Sequence, residues 1–342
     1  MLQWCITYVS GYNINEENRM RIKDIAQLAG VSTATVSRVI NNSTSVREET
    51  RKIVLEVIKA KNYRPNITAQ NLAKKETNTI GVVIPDLDNP FFGKIIKGIY
   101  EKIEEENLNI ILLNSYGSLK KEKRVIETLI EQRVKGVIIV PVAKDKDSSY
   151  KHFNRLDEFK IPYVLVDREI EGDNFSKVYL ENRKGAYKAT KYLLTKVSDI
   201  AMISGPVRTT TATKRLKGYS IAMGEKNLEE KVYYGDYKIE SGYKIITEII
   251  RDNKLPEALF VANNMMTLGV IKGLIENNIK ISENILIFSF DEVEMAEIFG
   301  VKIDYLEFDV KSIGEKAVDI LKGKLNGDKS RKIVKIPGEI KK

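Results

Sequence analysis

Thr33, Ala34, Ser37, Arg38 and Asn41 recur at spacings that place them along one side of a helix. Short polar side chains with a single guanidinium are what a helix needs to enter a major groove and approach base edges. Residues 20–76 around them hold eleven Lys/Arg against five Asp/Glu, so six of the chain's nine net positive charges sit there. That concentration suits phosphate contact and salt-dependent binding. A second set of chemistry-bearing residues follows short apolar runs further along. Asp86-Leu87-Asp88-Asn89-Pro90-Phe91-Phe92 combines amide, carboxylate and aromatic groups, and Asp167-Arg168 sets a carboxylate beside a guanidinium. Aromatic faces stack on apolar ring faces, while adjacent hydroxyls need directional polar partners of this kind.

Catalytic chemistry is not expected. The only histidine is His152 and the only cysteine is Cys5, so a histidine-based metal cluster, a catalytic triad and an internal disulfide are all excluded. No G-x-G-x-x-G follows a strand-like run and no G-x-x-x-x-G-K-[ST] occurs, which leaves a dinucleotide or a nucleoside triphosphate without its cradle. The chain is read as having no enzymatic activity, catalytic residue, cofactor or metal. One cysteine fits a reducing cytosol, and no run of about 18 apolar residues marks a membrane span.

The elements that must carry these residues are legible. Ile25, Leu28 and Ala29 form one apolar stripe at helical spacing; Val36, Val39 and Ile40 form another. They meet at Gly30-Val31-Ser32, where Gly30 can end one helix in the left-handed conformation and Ser32 can cap the next. A third helix is predicted from a capping box at Ser45-Val46-Arg47-Glu48 to about Lys61, with Ile53, Val57 and Ile58 facing the first two. Tyr63-Arg64-Pro65 stops it. The segment 66–75 is helix-compatible but too short to stand alone. From Thr79 onward, β-branched runs at 80–84, 110–113, 136–140, 163–166, 200–203, 258–261 and 285–288 alternate with amphipathic stretches. That alternation predicts doubly wound α/β lobes with buried parallel strands and ligands at the strands' carboxyl ends.

The stretches G-V-S-T-A-T-V-S-R-V-I-N, then Y-R-P-N, then A-x-x-L-A resemble the lactose/galactose-repressor (LacI/GalR) family, and the similarity continues through almost all of residues 21–338. It implies a three-helix headpiece similar to lambda repressor at 20–64, a hinge helix and linker at 65–78, and a two-lobed periplasmic-binding-protein-like α/β body at 79–342. Lobe 1 is expected at about 79–168 and 293–327, and lobe 2 at about 169–292 and 328–338. Residues 1–19 are expected to be a disordered extension upstream of Met20. The resemblance further implies a homodimer that binds a palindromic double-stranded DNA operator, acting in the bacterial cytoplasm at the nucleoid with no membrane partner. Thr33 and Ala34 match the family's main base-reading pair, with Ser37, Arg38, Asn41, Asn66 and Ala69 beside them. Leu72 matches a leucine that wedges into the central minor-groove step and kinks the duplex.

The body resembles ribose-type sugar-binding proteins. In that pattern Asn89 bonds a sugar hydroxyl while Phe91 and Phe92 sandwich the ring. Asp167, Arg168, Arg215, Asn263 and Asp291 match ligand positions, Tyr237 matches an aromatic wall of the second lobe, and Thr209 and Thr211 lie in a loop that can reach the cleft. A small sugar effector, a ribose-like aldose, follows. Within the family the alternative is a corepressed, phosphosugar- or purine-responsive regulator; outside it, an extracytoplasmic sugar-binding protein. Four departures bear on the ligand. Asn263-Asn264 stands where Asn-Asp is usual and Phe308-Asp309 where Gln-Pro is usual. Thr195-Lys196-Val197-Ser198 replaces a Gly-His connection, and the chain closes on Pro337-Gly338-Glu339-Ile340-Lys341-Lys342. The tail after Lys322 lacks a leucine heptad, so a tetramer is not expected.

Overall fold

The computed structural model describes residues 20–41, 43–63, 77–142, 150–170 and 175–342. The chain divides into two compact units, Met1–Lys75 and Glu76–Lys342. In the first, helices Ile22–Leu28, Thr33–Ile40 and Glu48–Ala60 close around Ile25, Ala26, Val36, Val39 and Val54. Gly30 takes φ +65° between the first two. Ser32 caps the second, accepting from the Thr35 amide at 3.1 Å. One member of each of two expected stripes turns outward: Leu28 is 52% exposed while Ala26 is buried, and Ile53 is 49% exposed while Val54 is buried, with Ile25, Ala29, Val57 and Ile58 packed as expected. The predicted capping box does not form. Ser45 bonds the Ser43 hydroxyl at 2.8 Å instead, so the third helix begins only at Glu48, where Glu48 and Glu49 complement its N-terminal dipole. The expected extension at 1–19 and the hinge residues Asn66, Ala69 and Leu72 lie outside the described residues.

The second unit holds two six-stranded sheets. Strands β1 (79–84), β2 (109–114), β3 (136–139), β4 (163–166), β5 (177–180) and β11 (333–336) form an all-parallel sheet in the order β11-β5-β4-β3-β1-β2. Strands β6 (200–204), β7 (231–234), β8 (258–261), β9 (286–289), β10 (304–308) and β12 (338–341) form the other, in the order β12-β10-β9-β8-β6-β7, with β12 antiparallel to β10. Helix Val310–Leu325 packs on helix Pro90–Glu104 and on the first sheet. The approach is close enough that a Cβ at Gly314 would overlap the Ile95 carbonyl, and one at Gly98 the Lys311 carbonyl. Helix Leu119–Glu131 is tied to the chain after β3 by the wholly buried Glu122. Its carboxylate accepts from the Val142 amide at 2.6 Å and pairs with His152 Nε2 at 2.7 Å.

Strand pairing corrects the expected lobe boundaries. Residues 177–180 and 333–336 pair in lobe 1, not lobe 2, and residues 304–308 pair in lobe 2, not lobe 1. The chain therefore crosses between lobes at 181, 309 and 337. Hydrogen-bond register decides this, and an apolar pattern is the same whichever sheet a strand joins.

Candidate functional site

In the first unit, helix Thr33–Ile40 exposes Thr33, Ala34 and Arg38, and Asn41 follows them on the same side. Ser37 is half-buried, and its carbonyl accepts from Asn41 Nδ2 at 2.8 Å. Val36 and Val39 anchor the opposite face, so the polar side chains project from a helix whose roll is set by packing. Asn66, Ala69 and Leu72 add nothing here, being outside the described residues.

In the second unit, a cavity of about 180 Å³ opens between the two sheets at the carboxyl ends of their strands. Asn89, Phe91, Phe92, Asp167, Arg168, Thr211, Arg215, Tyr237, Asn263 and Asp291 all line it; Thr209 does not. Asn89 ends the loop after β1. Its Oδ1 caps helix Pro90–Glu104 at the Phe91 amide (3.0 Å) and accepts from Asn264 Nδ2 of the other lobe at 3.2 Å. Phe91 and Phe92 meet edge to face, with centroids 5.3 Å apart and planes at 84°, so they do not form the expected sandwich. Both rings come from the first turn of one helix, and adjacent residues on a helix point about 100° apart. They offer one lobe-1 wall, which Tyr237 faces from lobe 2.

Tyr237 has φ +71°, and its ring occupies the space where a side chain on Gly205 would be. Thr211 Oγ1 and Thr209 Oγ1 lie 3.1 and 3.4 Å from its hydroxyl, and Asn263 Nδ2 donates to its carbonyl at 3.0 Å. Asn263 Oδ1 caps the next helix at the Met266 amide, 3.1 Å away. Thr209 and Asn263 thus hold the aromatic wall. Asp167 has φ +63°, a left-handed conformation costing a residue with a Cβ on the order of 1–2 kcal/mol. With Tyr116 at φ +50°, three such residues line the cavity.

The ionised groups are held tightly. Arg215 Nε donates to Asn182 Oδ1 at 2.8 Å, Nη1 donates to the Ala262 carbonyl and lies 3.8 Å from Asp291, and the guanidinium stacks 3.6 Å over Phe290. Arg168 Nη1 donates to the Pro141 carbonyl at 3.2 Å. Burial pushes the Asp167 carboxyl up from 3.8 to about 6; Arg168 and Arg215 oppose the shift and Asp291 adds to it. Burial also raises Asp291, against the pull of Arg215 and a hydrogen bond from the Asn264 backbone. Asp291 is 8% exposed, yet its Oδ1 has no hydrogen-bond partner. A buried carboxylate oxygen without a donor is costly, and a donor brought by a ligand relieves it.

A pH dependence follows. Any ligand that donates to Asp167 needs it ionised, so affinity is expected to be about tenfold weaker at pH 5 than at pH 7.5, measured by calorimetry. The empty protein has the opposite sign. With a folded pKa above the unfolded 3.8, this group's stabilisation is full below about pH 4 and is lost as pH rises through 6.

Asp86, read from sequence only as part of the 86–92 stretch, also lines the cavity, as do Tyr116, Gly117, Asp236 and Lys238, which sequence reasoning missed. Each sits just beyond β1, β2 or β7, so the strand-end rule would have found Tyr116. It would have missed Asp236 and Lys238, because β7 was not predicted. Across the lobes Lys94 pairs with Glu292 at 2.5 Å and Glu294 at 2.6 Å. Among the described residues no group of His, Cys, Asp and Glu is arranged to hold a metal ion, and no helix is long and apolar enough to cross a membrane.

A family model described as "Periplasmic binding protein domain" matches residues 80–329, and one described as "Bacterial regulatory proteins, lacI family" matches residues 21–66. The HTH-type transcriptional repressor PurR of Histophilus somni (strain 2336) is 32% identical over 305 residues, covering 88% of this chain and 90% of that protein. Among solved structures, the transcriptional regulator CelR–cellobiose complex shares 26% identity at a TM-score of 0.71, covering 95% of this chain and 99% of its own. The lac repressor dimer bound to operator and the anti-inducer ONPF shares 23% identity at a TM-score of 0.84, covering 94% and 98%; at that identity the likeness is one of fold.

Proposed function

The chain belongs to the lacI family of bacterial regulatory proteins, DNA-binding transcriptional repressors with a ligand-binding domain, and on that premise we propose that its effector is a small neutral sugar of the aldose type. The observation that carries this is the cavity floor. Asp291 Oδ1 has no donor, Asp167 lies close enough to raise its own pKa through it, and aromatic walls stand on both sides. A sugar supplies several hydroxyl donors to acidic oxygens and an apolar ring face to Phe91, Phe92 or Tyr237. A phosphorylated sugar fits less well. Arg215 Nε and Nη1 and Arg168 Nη1 already bond protein groups, while Asp86, Asp167, Asp236 and Asp291 put four carboxylates around the space. A planar base gains less from perpendicular Phe91 and Phe92 than from a slot of parallel rings.

In this reading the helix bearing Thr33, Ala34 and Arg38 reads one half-site of a palindrome, a homodimer reads both, and the complex works in the cytoplasm. Sugar binding between the lobes changes operator affinity by as much as it discriminates the two dimer states. Calorimetry with D-ribose, D-glucose, D-galactose, ribose 5-phosphate and hypoxanthine tests the ligand class. One neutral sugar is expected to bind at micromolar Kd; preference for the phosphate ester or the base would remove the proposal.

A further inference from the structure

The mouth of the cavity carries a group that a single sugar ring does not use. Tyr116 lines the opening but is 66% exposed. It sits at φ +50°, followed by Gly117 at φ +64°, in a turn fixed by the Asn114 side chain, whose Oδ1 accepts from the Tyr116 amide at 2.8 Å. Lys121, which does not line the cavity, stacks its ammonium 3.8 Å from the Tyr116 ring centroid. One face of the ring is thereby covered, and the ring is presented at the opening. From the other lobe the same opening is lined by Asp236 and Lys238, both exposed. Asp236 Oδ1 accepts from the Lys238 amide at 2.9 Å, which fixes the carboxylate, and the Lys238 ammonium has no partner among the described residues.

The cavity of about 180 Å³, whose lining includes these mouth residues, has room for about a dozen waters at about 10–15 Å³ each, and a monosaccharide brings only about six oxygens. The mouth is where a second ring attached to it is placed. There it meets an aromatic face on one lobe and a carboxylate with an ammonium on the other, the combination that takes a sugar's apolar face and its hydroxyls. We infer that Tyr116, Asp236 and Lys238 form an outer subsite, and that the full effector is a disaccharide or aryl glycoside whose second ring stacks on Tyr116. The inference rests on the sugar reading of the inner cavity and names the size of its ligand. Because the outer subsite takes one wall from each lobe, an occupied second ring also bridges them, adding to the Asn89–Asn264 and Lys94–Glu292 contacts that already do so.

Calorimetry on the full chain decides it. The probes are D-glucose, D-galactose and D-ribose, each beside its p-nitrophenyl β-glycoside, and cellobiose and lactose. The extended ligand of the preferred sugar is expected to bind about tenfold more tightly than the sugar alone. Tyr116→Ala erases that gain and leaves the monosaccharide within twofold, whereas Tyr116→Phe preserves both, since the face and not the hydroxyl is used. Equal loss of both ligands in Tyr116→Ala, or a monosaccharide that outbinds every extended form, overturns the outer subsite and leaves the inner sugar site standing. If no probe of either size binds, the sugar reading and the subsite fall together.

Discussion

Asp291→Asn is expected to weaken the effector about a hundredfold while leaving operator binding in its absence within twofold. The carboxylate is buried, its Oδ1 has no donor among the described residues, and Arg215 Nη1 lies 3.8 Å from its Oδ2. A ligand hydroxyl donating there makes a charge-assisted hydrogen bond, worth about 1.5–3 kcal/mol, and the amide offers a neutral acceptor in its place. The substitution keeps shape and volume. It also removes a carboxylate whose ionisation burial already disfavours, so thermal stability is expected to hold or rise. The variant should behave as a regulator that no longer hears its signal, its operator affinity unmoved at effector concentrations that shift the wild type's. Calorimetry for the sugar and anisotropy for the operator separate the two functions; an unchanged sugar affinity would take Asp291 out of the site.

The opposite separation is expected from Leu72→Ala. Leu72 lies outside the described residues, and its role comes from the match to the family's hinge leucine. An apolar wedge between base steps unstacks and kinks the duplex, and the bend lets more protein surface meet DNA. Truncation to alanine is expected to weaken operator binding at least tenfold with sugar affinity unchanged. No phosphate contact is lost, so the slope of log affinity against log salt should stay the same, which tells a lost wedge from a lost charge. Equal operator affinity in the variant would end the wedge role.

The parts of this molecule that could be read from its sequence are those where one physical requirement dominates. Strands β1, β3, β4, β6, β8 and β9 are mostly continuous apolar runs because they lie inside their sheets, and β2 carries such a run although it is an edge strand. Strands β7, β10, β11 and β12 sit at or next to sheet edges, half exposed, and carry Lys, Glu and Tyr that hide the pattern; β5 is buried but contains Lys177 and Tyr179. The lobe boundaries went astray for the same reason, since β5, β10 and β11 decide them. Most effector candidates converge on one cavity because strand ends converge there, whatever the side chain. What each candidate does was not legible. Asn263 spends both amide atoms on Tyr237 and a helix cap, and Thr209 supports the wall from behind it. The departure at Phe308 also acquires a place. Its ring stacks on Phe290 at 5.3 Å, beneath Arg215, and packs against Gly338 at the last crossover, so an apolar bolt stands where an amide is usual.

The central claim is that a sugar between the lobes controls an operator held by the headpiece. Fluorescence anisotropy of a labelled palindrome from the gene's own upstream region, titrated with the 20–342 chain in the presence of each sugar and glycoside above, tests it most directly. The account predicts salt-dependent binding whose affinity one sugar and its extended form shift at micromolar concentration. Binding that no sugar changes, or no preference for the palindrome over a scrambled duplex, would contradict it.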